Sequence, residues 1–274
     1  MPLSSAALRR EISNRNIHRA HHHEHELSYG TIPSVLYRRE DDAHGNFFPA
    51  SYRSICAHPD WIRRLKKSYS AGKWIARNWE RTRSELDCAN SSDALLMNIF
   101  CYPKVLYRPQ LCALLGIEPG LRPDFGFKPH TPFLNKGVDR TEVDMRLGEL
   151  LIEAKLTETG FQTAASPLLF RYRDIHEVFE IAELPIVGDI VHSYQLIRGV
   201  LAAYTHERSF LLLCDNRRVD LIESWFEVLQ AVRSYSFRNR LKLLTWQEIA
   251  PTLPQRLQQF LEEKYGIVES NRCA

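Results

Sequence analysis

The sequence predicts an α/β protein in which a mixed central sheet is flanked by helices and preceded by a helical N-terminal portion. Two runs of alternating polar and apolar residues meet at a glycine within 141–156, the runs SFLLLC and LKLLTW read as buried strands, and helical stretches separate and follow them. A chain of 274 residues, 44% hydrophobic and 25% charged, can bury a substantial core. The expected organisation is an irregular polar arm over 1–50 and a single domain over 51–274, mainly helical over 51–120 and α/β over 121–274.

Residues 1–50 are rich in Arg, His and Asn and show no sustained period. Within them, His21, His22, His23 and His25 of RAHHHEHE have the chemistry to bind a transition metal, although adjacent histidines in a polar tail more often titrate in solvent. From Asp60 to Asp87 the pattern reads as two helices broken near 70–72. Trp61 to Arg83 carries Arg63, Arg64, Lys66, Lys67, Lys73, Arg77, Arg81 and Arg83 against Glu80 alone, interleaved with Trp74 and Trp79. That excess suits a surface laid on a phosphate backbone, where Lys and Arg release condensed counterions. The alternative is a solvated basic face over buried tryptophans.

SSDALLMNIF reads as a short helix capped by Ser91 or Ser92, and PQLCALLG as a second. Strands are expected at 141–147 and 150–156, a helix at 189–204, then SFLLLC, a helix over VDLIESWFEVLQAV, the strand LKLLTW and a closing helix through RLQQFLEEKYG. The formal charge of +3 tolerates a polyanionic partner without requiring one. Six scattered cysteines (Cys56, Cys88, Cys101, Cys112, Cys214, Cys273) with no CxxC pair suggest reduced thiols. No apolar run reaches bilayer length and the first residues lack a secretory pattern, so the expectation is a cytoplasmic protein with no membrane partner.

The chemistry concentrates in TEVDMRLGELLIEAKLTE, residues 141–158. Gly148-Glu149 fits a two-residue turn with glycine first, which fixes the register. Leu147 then faces Leu150, Met145 faces Ile152 and Val143 faces Ala154, forming one apolar face with Leu156. On the other face Arg146 meets Leu151, Asp144 meets Glu153 and Glu142 meets Lys155. Two carboxylates side by side repel one another, and a divalent cation would relieve that repulsion. Lys155 points to the same side, beside any cation-bound water. The bland alternative is a half-exposed hairpin with Glu142 and Lys155 as a surface ion pair.

Asp144, Glu153 and Lys155, on two strands after an N-terminal helix and before a helix and a strand, resemble the PD-(D/E)XK nuclease superfamily, whose fold is restriction-endonuclease-like. EAKLTETGF, NSSDALLMNIF and YQLIRGVLAAY are similar to a bacterial branch of restriction endonucleases, and the resemblance spans roughly residues 60–245. It implies Mg²⁺, with Mn²⁺ able to substitute, held by Asp144, Glu153 and the Ala154 backbone carbonyl. It also implies Lys155 as the group that positions or activates the attacking water. Val143 stands where the literal signature has proline; a literal Pro123-Asp124 occurs in RPDFGF, but nothing local ties Asp124 to Glu153.

Glu142, Glu158 and Gln195 are supporting candidates, and Arg198, one turn beyond Gln195 on the flank of its helix, joins Arg63, Arg64, Lys66, Lys67, Lys73 and Arg77 as a candidate DNA contact. Some superfamily members place a glutamine on this helix near the metal; the alternative is a solvent-facing Gln and Arg. Asp93 is a candidate outer acid, although its place after Ser91-Ser92 suits a helix first turn. The expectation is a metal-dependent endonuclease acting on DNA, restriction-like or defence-related. The alternatives are a non-catalytic DNA-binding or assembly protein that keeps the fold, and a repair or recombination nuclease. A homodimer would suit cutting both strands, a monomer single strands or ends.

Overall fold

A computed structural model of the chain describes residues 2–28, 33–67 and 84–268. They form two compact units, one centred on Leu121–Thr245 and the other on Leu3–Gly120 with Trp246–Ala274. The second unit begins with α1 (Ser5–Ala20), the hairpin of β1 (His25–Leu27) and β2 (Val35–Tyr37), and then α2 (Pro49–Ala57), α3 (Pro59–Arg64), α4 (Ser92–Phe100) and α5 (Pro109–Leu115). A helix therefore runs through the segment expected to be irregular. Ser4 caps it by accepting from the Ala7 amide at 3.2 Å, and Ser91 caps α4 in the same way at 3.1 Å. Proline opens α2, α3 and α5, where its missing N–H costs nothing. The expected pair of helices at 60–87 lies largely outside the described residues.

In the Leu121–Thr245 unit the chain runs β3 (Asp124–Phe127), β4 (Thr131–Pro132), β5 (Val138–Asp139), β6 (Val143–Leu147), β7 (Leu150–Ala154) and β8 (Ala164–Ala165). It continues through α6 (Ser166–Leu169), α7 (Ile175–Val178), β9 (Ile186–Val187), β10 (Ile190–Val191), α8 (Tyr194–Thr205), β11 (Ser209–Cys214), α9 (Val219–Gln230), α10 (Tyr235–Arg238) and β12 (Leu241–Thr245). Five strands make the mixed sheet in the order β12-β11-β7-β6-β3: β11 is parallel to both β12 and β7, while β6 is antiparallel to β7 and β3. Parallel neighbours require crossovers, and α8 and α9 supply them.

Leu151, Phe210, Leu212, Cys214 and Leu241 of the sheet pack with Leu196, Ile197, Val200 and Leu201 of α8 and with Leu221, Trp225 and Val228 of α9. Gly199 lets α8 come down onto β11, because a Cβ there would lie 2.3 Å from Phe210 Cε2. The helix begins at Tyr194 rather than at Asp189: Ile186–Val187 and Ile190–Val191 pair as a small hairpin, so Ile190 is exposed and not part of a helical stripe.

Back in the other unit follow α11 (Trp246–Ile249) and α12 (Gln255–Tyr265), which packs on α1. Lys264 of α12 is fully buried, its Nζ 2.6 Å from Asn16 Oδ1 and over the rings of Tyr37 and Tyr265. Among the described residues no helix is long and apolar enough to cross a membrane.

Candidate active site

The turn at 148–149 forms as its residues dictate. Gly148 has φ +54° while Glu149 stays out of that region, and the register Leu147↔Leu150, Arg146↔Leu151, Met145↔Ile152 is the expected one. The ladder ends there. One alternation further, where the Ala154 amide would reach the Val143 carbonyl, it donates instead to Asp144 Oδ2 at 2.8 Å. The pairings expected beyond Met145↔Ile152 are thus replaced by a side-chain contact. Across β6 on the other side, Gly126 of β3, with φ +68°, stands opposite Asp144. Val143 joins the apolar cluster of Leu151 and Phe210 instead of a face shared with Met145.

Glu153 is 2% exposed and Lys155 6%, which removes the half-exposed hairpin as an alternative. Lys155 Nζ donates to Glu153 Oε1 at 2.6 Å, and Gln195 Nε2 donates to the same oxygen at 2.5 Å. Among the described residues no donor reaches Glu153 Oε2. Burial by itself would lower the Lys155 pKa; Glu153, Asp144 and Glu158 outweigh it and hold the ammonium above its ordinary value. Asp144 is therefore within electrostatic reach of the same cation as Glu153.

The residues after the lysine lock this cluster. Glu158 Oε2 accepts from the Leu156 amide at 2.6 Å, closing the turn after β7. The Phe161 ring centroid lies 5.8 Å from Lys155 Nζ. The carbonyls of Phe161 and Gln162 accept from the Gln195 and Tyr194 amides, so this loop caps α8 and sets Gln195 over Glu153. Arg218, fully buried, donates to the Leu156 carbonyl at 3.2 Å and forks onto Asp220.

Arg198, Asp139, Thr141 and Tyr172 form a second cluster on the same unit. Arg198 Nη1 donates to Thr141 Oγ1 at 3.0 Å, Thr141 Oγ1 donates to Asp139 Oδ1 at 2.5 Å, and Tyr172 donates to Asp139 Oδ2 at 2.5 Å. Burial opposes ionisation of Asp139, but the hydrogen bonds from Thr141 and Tyr172, with Arg198 nearby, bring its pKa below the usual value. Burial and that same carboxylate raise the Tyr172 pKa, keeping the phenol a donor.

Asp124 of the literal Pro-Asp pair sits two strands away from β7, on β3 opposite Arg146, and is ion-paired with that arginine at 3.0 Å. Its carboxylate serves the sheet edge, whereas Asp144 serves the end of β7.

Of the basic residues expected to face DNA, Arg63 and Lys66 are exposed, the former in contact with Asp60. Arg64 and Lys67 each lie 2.9 Å from Asp93 Oδ2, and Lys67 also meets Glu85 at 3.1 Å. Asp93 stands in the first turn of α4, but it is buried and paired instead of solvated. Lys73 and Arg77 lie outside the described residues. His23 bonds Glu40 and His25 bonds the His23 carbonyl. Among the described residues no three His, Cys, Asp or Glu side chains form a metal-binding group.

The family model described as Restriction Endonuclease associating with ARP matches residues 14–266. The chain belongs to this restriction-endonuclease family. Its match spans the whole mixed sheet, both carboxylates and the lysine, and reaches into the other unit from α1 to α12. No curated protein and no solved structure matches the chain.

Proposed function

We propose that this member of the restriction-endonuclease family hydrolyses DNA phosphodiester bonds with Mg²⁺, or Mn²⁺ in its place, in a restriction or defence role. The observation that carries the reading is Glu153: a buried carboxylate whose two donors share one oxygen, leaving the other open. An anionic oxygen that takes no donor from the protein is a ready ligand for a hard divalent cation. Glu153 Oε2, Asp144 and the Ala154 carbonyl are hard oxygen donors. Mg²⁺ commonly takes one or two carboxylates and keeps its other positions for water and phosphate. The cation's contribution would be to acidify a water and to offset charge on the phosphate.

The chain's own residues do the rest. Lys155, with Nζ 2.6 Å from Glu153 Oε1, acts as the donor that orients the attacking water and meets phosphate charge. Gln195 fixes the Glu153 carboxylate so that Oε2 faces outward. Arg63 and Lys66 present charge for the phosphate backbone, while Arg64 and Lys67 are drawn inward by Asp93.

The test is incubation of wild type and Lys155→Ala with linear, supercoiled and single-stranded DNA, in Mg²⁺, Mn²⁺ or EDTA. Cutting that needs metal and is lost in the variant supports the reading, and the appearance of linear or nicked product from supercoiled DNA reports whether both strands are cut. Binding without cutting by wild type on every substrate would instead favour a non-catalytic DNA-binding protein.

A further inference from the structure

Arg198 stands three residues of α8, about 4.5 Å along the axis, beyond Gln195. Its guanidinium lies 5.2 Å from the Tyr194 ring centroid, and Nη1 rests on the Thr141 hydroxyl. That hydroxyl spends its only proton on Asp139, whose second oxygen is taken by the buried Tyr172. The order of donation, Arg198 to Thr141 to Asp139 with Tyr172 closing the far end, holds the guanidinium through a hydroxyl instead of against a carboxylate. Its charge is anchored but not neutralised at contact distance. Arg198 Nε is buried and has no hydrogen-bond partner among the described residues. A guanidinium has five donors in a planar fork, and a phosphate is the group that fork fits.

The cluster is joined along the chain to the elements that carry both carboxylates. Thr141 lies three residues before Asp144, and Arg198 three residues after the glutamine that touches Glu153. We propose that Arg198 binds a DNA phosphate flanking the scissile one, and that Asp139, Thr141 and Tyr172 are positioning residues that aim it. The proposal rests on the nuclease reading and adds to it a phosphate site with its own support.

The test uses the full chain and a short fluorescent duplex in EDTA, so that no hydrolysis intervenes, over a series of KCl concentrations. Arg198→Ala should weaken binding roughly tenfold to a hundredfold, as for loss of a charged hydrogen bond. It should also flatten the salt dependence of log K by about 0.9, the value for one duplex phosphate. Arg198→Lys should keep the slope without restoring affinity. Thr141→Val should weaken binding with the slope retained, and Thr141→Ser should restore it, which a merely structural role would not predict. In cleavage, Arg198→Ala should raise KM more than it lowers kcat.

Wild-type affinity and slope in Arg198→Ala, with cutting still dependent on Lys155, would overturn this inference and leave the nuclease reading intact. Failure of Thr141→Ser to rescue would remove the positioning role. A wild type that neither binds nor cuts DNA would remove both readings.

Discussion

Lys155 Nζ lies 2.6 Å from Glu153 Oε1, two residues earlier on the same strand, with both side chains buried. Removing one partner leaves an uncompensated buried charge. Glu153→Ala is expected to cost about 3 kcal/mol of stability, and the double change Glu153→Gln with Lys155→Met should recover most of it. Urea unfolding of the three proteins decides this. A stable Glu153→Ala would mean that Asp144 and Glu158 suffice to hold the ammonium.

Gly199 allows α8 to touch Phe210. Gly199→Ala inserts a methyl where a Cβ would lie 2.3 Å from a ring carbon, and the helix must shift. The expected loss is about 1–3 kcal/mol, with reduced cutting because Gln195 moves with the helix. A variant with an unchanged urea midpoint would show that Phe210 yields instead.

Among the basic residues near α3, the structure separates two classes. Asp93→Ala should destabilise by about 3 kcal/mol, since it removes the buried carboxylate that Arg64 meets and one of the two that Lys67 meets. Arg63→Ala and Lys66→Ala should change stability by less than about 0.5 kcal/mol, while lowering affinity for DNA. Thermal unfolding alongside duplex titration separates the two outcomes.

Arg218 holds the Leu156 carbonyl and Asp220 with three donors, which a lysine cannot reproduce. Arg218→Lys should cost about 2 kcal/mol and speed amide exchange at 155–157. Unchanged exchange there would remove its role in holding the end of β7.

Lys264 gives stability a pH dependence in the alkaline range. Burial, with Arg19 nearby, pushes its folded-state pKa well below 10.5. The unfolded chain therefore binds the extra proton between those two values, and stability falls as pH drops through that window. Lys264→Met should raise the unfolding midpoint by several degrees near neutrality, with the advantage shrinking as pH approaches 10.5. An advantage that does not change with pH would mean that the amine is charged in the fold.

The hairpin was legible because its information is local. A period of two and a glycine turn place Met145 against Ile152 without reference to the rest of the chain, and they draw attention to Glu153 and Lys155. Gln195 was legible only as a flank position. Its contact with Glu153 depends on the 161–162 carbonyls capping α8, a tertiary event. The helix α1 escaped because its buried face includes Ser13 and Asn16, so it shows no continuous apolar stripe. Asp139, Thr141, Tyr172 and Arg198 escaped as a set because the segments that carry them are far apart in sequence and meet only in the fold. The ion pairs of Asp93 were not legible because its cations lie 26 and 29 positions earlier.

Asp144 takes the place of a peptide carbonyl in the β6–β7 ladder. The same oxygen atom set is thus part of the scaffold as well as a candidate for chemistry. A descendant of this protein that had lost all activity would still need an acceptor at 144 to keep the end of its sheet from fraying. Persistence of Asp or Asn at that position in a relative would therefore speak to architecture, and it is the fate of Lys155 that would report whether cutting had been retained.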